Sequence, residues 1–146
     1  SNNLGASLLT TGILSILPML LVLLFFLPLI STLPLLHHIN IDGFIVCPDG
    51  NAPKSVTVIV KDGDEDAELI RKVFSPAHEY CLGVDDFVDV KSSHPEVTVF
   101  AHCVTGDKDC IYQQTRSIPR SYIDNSIPFR PTFKAQAADL KTCRSA

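Results

Sequence analysis

The pattern of apolar and charged positions divides the chain into two parts. Residues 8–36 are almost wholly apolar, and no Asp, Glu, Lys or Arg precedes Asp42. The apolar stretch is longer than the roughly 20 residues that span a bilayer as a helix. Three prolines within it argue against a helix buried in a globular core, because proline kinks helices. Residues 1–36 are therefore predicted to be a signal peptide or a membrane anchor.

The position of this apolar leader favours a signal peptide. It is N-terminal, a patterned domain follows it at once, and the small residues Ser31 and Thr32 offer a cleavage site. We expect cleavage to leave a mature start between Thr32 and His38. The absence of Lys and Arg from residues 1–7 and a poor small-x-small pattern keep a retained anchor as the alternative. Both alternatives place the remaining chain outside the cytosol.

From Ile39 onward, apolar and polar residues alternate with the period of two that is typical of half-buried strands. The clearest strand is 55–61, which is dense in β-branched residues. About seven strands are predicted, over residues 39–47, 55–61, 69–74, 80–82, 96–102, 110–118 and 129–137. Short strands separated by turn sequences indicate an all-β sandwich, which we assign to residues 37–146.

Three segments depart from this alternation. Gly43 interrupts the first strand and is predicted to mark a β-bulge. Residues 135–141 carry a weak helical periodicity. Acidic residues crowd the segment 62–68, and oxygen-rich loops can bind Ca²⁺. Gly63 stands at the wrong position for an EF-hand, so a solvated loop is favoured over a calcium site.

All five cysteines follow the leader: Cys47, Cys81, Cys103, Cys110 and Cys143. This density indicates a disulfide framework formed in an oxidising space. The polar loop 104–109 can bring its two flanking cysteines within bonding distance, so we expect Cys103 to pair with Cys110. Because five is odd, at least one cysteine must stay free or pair with another chain. The other pairings, including Cys47 with Cys81, remain open from the sequence.

Charge and motifs exclude several function classes. The net charge is −4, and 12 basic residues are scattered among 16 acidic ones, so a nucleic-acid partner is not expected. The chain has no C-x₂-C pair, G-x-S-x-G, glycine-rich phosphate loop, H-E-x-x-H or N-x-[ST] sequence. We therefore predict no catalytic residue, no metal site and no cofactor.

The neighbouring residues His102 and Cys103 could be a base and a nucleophile. Adjacent side chains on a strand point to opposite faces, however, which separates the two groups. Cys103 is therefore interpreted as a structural cysteine, and His102 as a partly buried or surface histidine.

Several segments together resemble the nematode transthyretin-like proteins. They are 43–47 (GFIVC), Pro53 before 56–58 (VTV), 97–103 (VTVFAHC), Cys110, and 118–123 (IPRSYI). The resemblance covers residues 39–143, while residues 75–80 depart from the family's usual turn. It implies a transthyretin-type sandwich of two antiparallel sheets and secretion. It also implies a bond between Cys47 and Cys143 beside the loop pair, which leaves Cys81 free or available to a partner chain.

A secreted, extracellular binding protein without catalytic activity is therefore expected. Its partner would be an extracellular protein, a lipid or a small apolar ligand, with membrane contact only through an uncleaved leader. A cell-surface protein tethered by the leader is the first alternative. The second is a hydrolase, because the related 5-hydroxyisourate hydrolases share the sandwich. Their C-terminal Tyr-Arg-Gly-Ser is not matched by residues 143–146 (CRSA), so this activity is not expected.

Overall fold

The computed structural model describes residues 35–63, 66–75 and 82–145, and of Cys81 it describes the backbone only. The predicted leader lies almost wholly outside the described residues, so its cleavage, its anchoring role and the boundary at residue 36 stay predictions. Strands in the described part are β1 (His37–Val46), β2 (Ser55–Asp62), β3 (Ala67–Phe74), β4 (Cys81–Val88), β5 (Glu96–Thr105), β6 (Lys108–Ser117), β7 (Thr132–Lys134) and β8 (Leu140–Ser145). Two short 3₁₀ helices span Arg120–Tyr122 and Ala137–Asp139. The described residues contain no helix long and apolar enough to cross a membrane.

The strands form two sheets, and the all-β prediction is confirmed. One sheet has the order β4-β1-β7, and the other has the order β3-β2-β5-β6-β8. The expected purely antiparallel pairing is wrong at one place, because β7 runs parallel to β1. An apolar period of two does not encode strand direction. A parallel neighbour is possible here because β1 and β7 are joined through most of the domain rather than by a tight turn.

The core lies between the inner faces of the two sheets. Alternate residues of β2 are fully buried, as are their neighbours on β5, so these two strands supply its centre. The smaller sheet contributes alternate residues of β1 and β4 and the fully buried Phe133. This alternation is what the sequence pattern predicts for strands with one face packed against a second sheet. The largest fully buried apolar side chains are Phe133, Ile39, Ile41, Leu82, Val56, Val58, Val60, Val84, Val97 and Val99.

Strand boundaries differ from the prediction mainly near the C-terminus. The predicted strand 129–137 shortens to Thr132–Lys134, and the weak helical pattern over 135–141 gives only a 3₁₀ turn. The eighth strand, Leu140–Ser145, was not predicted because all six of its residues are exposed and no alternation marks it. Residues 80–82 were predicted as a short strand, which the structure extends to Val88.

Gly43 does not form the predicted bulge, since β1 pairs with β4 in continuous register through it. The glycine is buried, and an added Cβ would lie 3.3 Å from the carbonyl oxygen of Pro131. Its role is therefore to let the backbone of the 129–131 segment approach β1 closely.

The predicted solvated loop at 62–68 is also wrong at its first residue. Asp62 ends β2 and is only 1% exposed. Its two carboxylate oxygens accept backbone N–H hydrogen bonds from Lys91 and Ser92, each at 2.9 Å. Burial alone would raise the pKa of Asp62, but the hydrogen bonds from Ser92 and Lys91 outweigh it and lower the pKa below the ordinary value. Asp62 thus anchors the segment 91–95 to the end of the sheet.

Candidate functional site

Two disulfides join the four cysteines that were predicted to be bonded. Cys47 bonds Cys103 with a Cα–Cα distance of 5.8 Å, and Cys110 bonds Cys143 with a Cα–Cα distance of 4.1 Å. The predicted pairing of Cys103 with Cys110 is therefore wrong, and so is the pairing of Cys47 with Cys143.

The strand register explains this correction. Cys103 and Cys110 are cross-strand partners in the β5–β6 hairpin, as the loop between them predicts. Cys103 faces inward, where Cys47 approaches from the smaller sheet, while Cys110 has Cys143 as its partner on β8. Because β8 was not predicted, this second neighbour of Cys110 was missed. Cys81 pairs through its backbone with Phe44, and its side chain is outside the described part, so its free thiol stays a prediction.

Near the cysteines, the outer face of the larger sheet carries a cluster of polar side chains that contact one another. His102 is half-buried there, on the face opposite to the buried Cys103. Its Nε2 atom hydrogen-bonds the Asp109 carboxylate, and its Nδ1 atom lies 3.4 Å from the Ser55 hydroxyl oxygen. The expected separation of His102 from Cys103 is thus in place, and two polar partners appear that the sequence had not indicated.

Strand register brings these groups together. Ser55 on β2 lies directly opposite His102 on β5, and Ile111 on β6 lies on its other side. Asp109 pairs with Val104, so it stands diagonally from His102, within reach of a long side chain. The sequence signal that could have identified Asp109 is the short turn between β5 and β6. Pairing the two strands outward from Thr105 and Lys108 places Asp109 next to His102 on the same face.

Asp109 is held as a carboxylate. The pKa of Asp109 lies below its ordinary value, first because His102 hydrogen-bonds it, with a smaller opposing effect of burial. The positive charges of Arg144 and Lys54 lower the pKa of Asp109 further. A guanidinium nitrogen of Arg144 lies 4.0 Å from the second carboxylate oxygen, and the Arg144 side chain is 81% exposed.

A groove of about 310 Å³ adjoins this cluster and is lined by Asp109, Ile111, Thr142, Cys143 and Arg144. Ile111 and Thr142 are cross-strand partners on β6 and β8, and both are exposed. The groove therefore offers an apolar side chain, an exposed cation and an anchored carboxylate side by side. We call the outer-face residues Ser55, His102, Asp109, Ile111, Thr142 and Arg144 the His102 face.

The Ser–His–Asp residue types of this face also occur in hydrolases. The 3.4 Å separation of Ser55 and His102 is the long limit of a hydrogen bond. Ser55 and His102 lie directly opposite each other on the paired strands β2 and β5. These contacts hold the three side chains together on the outer face of the sheet.

Among the described residues, no group of three or more His, Cys, Asp or Glu side chains could hold a metal ion. In the acidic segment, Asp66 pairs with Lys61 and Glu68 pairs with Arg71, at 2.6 and 2.5 Å. Residues 64 and 65 lie outside the described part, so the calcium alternative is not decided there.

No protein-family model matches this chain, and no curated protein and no solved structure is significantly similar to it.

Proposed function

We propose that this chain is a secreted binding protein of transthyretin-like type, without catalytic activity, that contacts an extracellular protein through the His102 face. The coarser features on which this rests are the two-sheet β-sandwich and the two disulfides, which are compatible with an extracellular location. The segments that resemble the transthyretin-like family contribute to β1, β2, β5 and β6 and to the turn after β6.

The observation that carries the binding proposal is the groove beside Asp109. The Arg144 side chain is 81% exposed, and its 4.0 Å distance to a carboxylate oxygen of Asp109 is longer than a hydrogen bond. Most of its five N–H donors therefore remain available to a partner's carboxylate. Ile111 supplies adjoining apolar surface, and it is 37% exposed. Arginine is among the residue types enriched at protein interfaces.

A protein partner fits this surface better than a lipid or a small apolar ligand. The groove is lined by charged as well as apolar groups, whereas sites for apolar small molecules are lined mostly by apolar side chains. The partner side of the contact would then present an acidic side chain to Arg144 and an apolar one to Ile111.

Secretion is tested by expressing the full chain in a eukaryotic host and measuring intact mass in medium and membrane fractions. We expect the protein in the medium with a mature start between Thr32 and His38. Recovery only in the membrane fraction with an intact leader would replace secretion by the tethered alternative.

Binding is tested with the secreted protein, labelled and added to cells of the source organism. We expect saturable binding that unlabelled protein competes, that protease treatment of the cells abolishes, and that Arg144→Glu weakens at least about tenfold. Arg130→Glu is the matched control, because Arg130 is also exposed and paired with an aspartate, Asp42, at 3.1 Å, but belongs to the other sheet region. Equal effects of the two variants would contradict a contact through the His102 face.

Two further measurements separate the alternatives. Saturable binding to phospholipid vesicles with the same sensitivity to Arg144→Glu would replace the protein partner by a lipid. Turnover of 5-hydroxyisourate above the spontaneous rate, lost in His102→Ala, would contradict the absence of catalysis. We expect neither.

A further inference from the structure

Strand β8 supplies half of the proposed groove but has little holding it in place. Its six residues are all exposed, so it adds no side chain to the core. It pairs only with β6, over five residue pairs, and the register shifts between Ile111 and Tyr112. Without a buried face, β8 is held by this backbone pairing and by the covalent bond from Cys143 to Cys110.

The two disulfides differ in how a reductant can reach them. Cys47 and Cys103 are each 2% exposed, between the two sheets, so a thiolate reaches their sulfurs only after the sandwich opens. Cys110 is only 6% exposed, but Cys143 lies on the exposed edge strand and lines the groove. A dissolved thiol can therefore approach the Cys110–Cys143 bond from the Cys143 side while the core stays closed.

The chain before β8 is attached independently of this bond. The Gln114 amide donates to the Asp139 carboxylate at 2.7 Å and to the carbonyl oxygen of Lys134 at 2.9 Å. The same carboxylate accepts the backbone N–H of Gln136 at 2.9 Å. These contacts hold the 136–139 turn on β6, so a released β8 would pivot at Leu140.

From this arrangement we propose that Cys110–Cys143 is a redox switch for the His102 face, reduced selectively by a small dithiol. This inference rests on the proposed function, because it concerns the regulation of the same face. Reduction frees β8 from residue 140 onward and removes Thr142 and Arg144 from the groove, while the bridge between the sheets and the fold persist.

The chemical step is an ordinary two-electron exchange. One thiolate of the dithiol attacks the sulfur of Cys143, and the Cys110 sulfur leaves and takes up a proton. The second thiol of the reductant then attacks the mixed disulfide and releases Cys143 as a thiol. The dithiol is oxidised to its own disulfide, and the protein disulfide is reduced to two thiols.

The direct test exposes the secreted protein to graded dithiothreitol, quenches it by alkylation and maps the labelled cysteines by mass spectrometry. We expect labels on Cys110 and Cys143 to appear at least about tenfold faster than on Cys47 and Cys103, since each tenfold corresponds to about 1.4 kcal/mol of opening free energy. Equal rates for the two bonds, or earlier reduction of Cys47–Cys103, would overturn the proposal.

Release of the strand is followed by amide hydrogen exchange on the partly reduced protein. Amides of residues 140–145 should lose their protection while those of β2 and β5 keep theirs. Cys110→Ala/Cys143→Ala should reproduce this pattern without reductant. Retained protection of 140–145 in both the reduced protein and the variant would overturn the proposal. These readouts need no partner, so they can fail or succeed independently of the proposed function.

The functional arm repeats the cell-binding measurement before and after selective reduction and after reoxidation. The switch predicts a loss as large as that of Arg144→Glu and its recovery on reoxidation. Binding that persists after β8 has been released would overturn the regulatory role, while binding absent from the untreated protein would overturn the proposed function instead.

Discussion

The segment 91–95 and strand β8 are both attached to the five-stranded sheet, but by opposite means. The segment is held through burial: Asp62 accepts two of its backbone hydrogen bonds, and Ser92 is 5% exposed. Strand β8 buries no residue and is tied by a disulfide instead. Where side chains leave water, packing and hydrogen bonds are sufficient to fix a segment. At the exposed edge, where no side chain is buried, a disulfide adds a covalent attachment.

The two disulfides follow the same division. Cys47–Cys103 links the two sheets inside the core, whereas Cys110–Cys143 links two neighbouring strands of one sheet. Their loop-closure effects are nearly equal. Sequence separations of 56 and 33 residues correspond to about 4.2 and about 3.7 kcal/mol in the chain-entropy treatment. Any larger difference between them must come from burial.

The largest expected effect is therefore the loss of the buried bridge. Cys47→Ala/Cys103→Ala should lower the free energy of unfolding by about 5 kcal/mol, because a core cavity adds to the lost closure term. Cys110→Ala/Cys143→Ala, on the exposed edge, should cost no more than about 3.7 kcal/mol. Urea unfolding followed by circular dichroism measures both. A larger cost for the edge pair would contradict the assignment of these roles.

The sequence predicts those strands that have one face in the core. β2 and β5 are recognisable because apolar β-branched residues alternate along them, and burial is what produces that alternation. β8 has no buried face, so nothing in its pattern distinguishes it from a tail. The alternation of apolar residues is the same for parallel and antiparallel neighbours, so it did not predict the parallel β1–β7 pair.

Contacts between residues far apart in the sequence were less predictable than the strands. Asp62 belongs to an acidic run whose composition predicts a solvated loop. Its hydrogen-bond partners, Lys91 and Ser92, lie 29 and 30 residues further along the chain. The loop spacing correctly places Cys103 opposite Cys110. It cannot show that Cys47 reaches Cys103 from the other sheet, because that contact depends on how the sheets stack.

The second prediction adds a single methyl group where the segment 91–95 approaches the sheet. An added Cβ at Gly63 would lie 2.0 Å from the carbonyl oxygen of His94, and backbone cannot move aside as a flexible side chain can. Gly63→Ala should therefore cost about 3 kcal/mol, at the upper end of overpacking effects. Gly83→Ala is the matched control on β4, since its Cβ would meet nothing within 4 Å. Denaturant midpoints should separate the two variants clearly, and a similar stability for both would contradict a close approach at Gly63.

The smallest expected effect tests the hydrogen bonds that hold the same segment. An asparagine at position 62 keeps one acceptor oxygen but turns an N–H₂ group toward a backbone donor. Asp62→Asn should therefore cost about 1–2 kcal/mol at neutral pH, the usual cost of leaving a buried donor unpaired. Glu68→Gln on the neighbouring strand β3 is the control, because its carboxylate is exposed and pairs with the exposed Arg71.

The pH dependence of the stability lost in Asp62→Asn shows whether the charge of Asp62 or only its size and shape stabilises the fold. Folding lowers the pKa of Asp62, so its carboxylate stabilises the fold above the unfolded-state pKa of about 3.9, and this contribution declines as the pH falls through the folded-state value. The difference in unfolding free energy between wild type and Asp62→Asn should therefore be constant near neutrality and shrink below about pH 4. Urea titrations at a series of pH values measure it. A difference that stays constant down to acid pH would show that the charge of Asp62 contributes nothing and that only its shape anchors the segment 91–95.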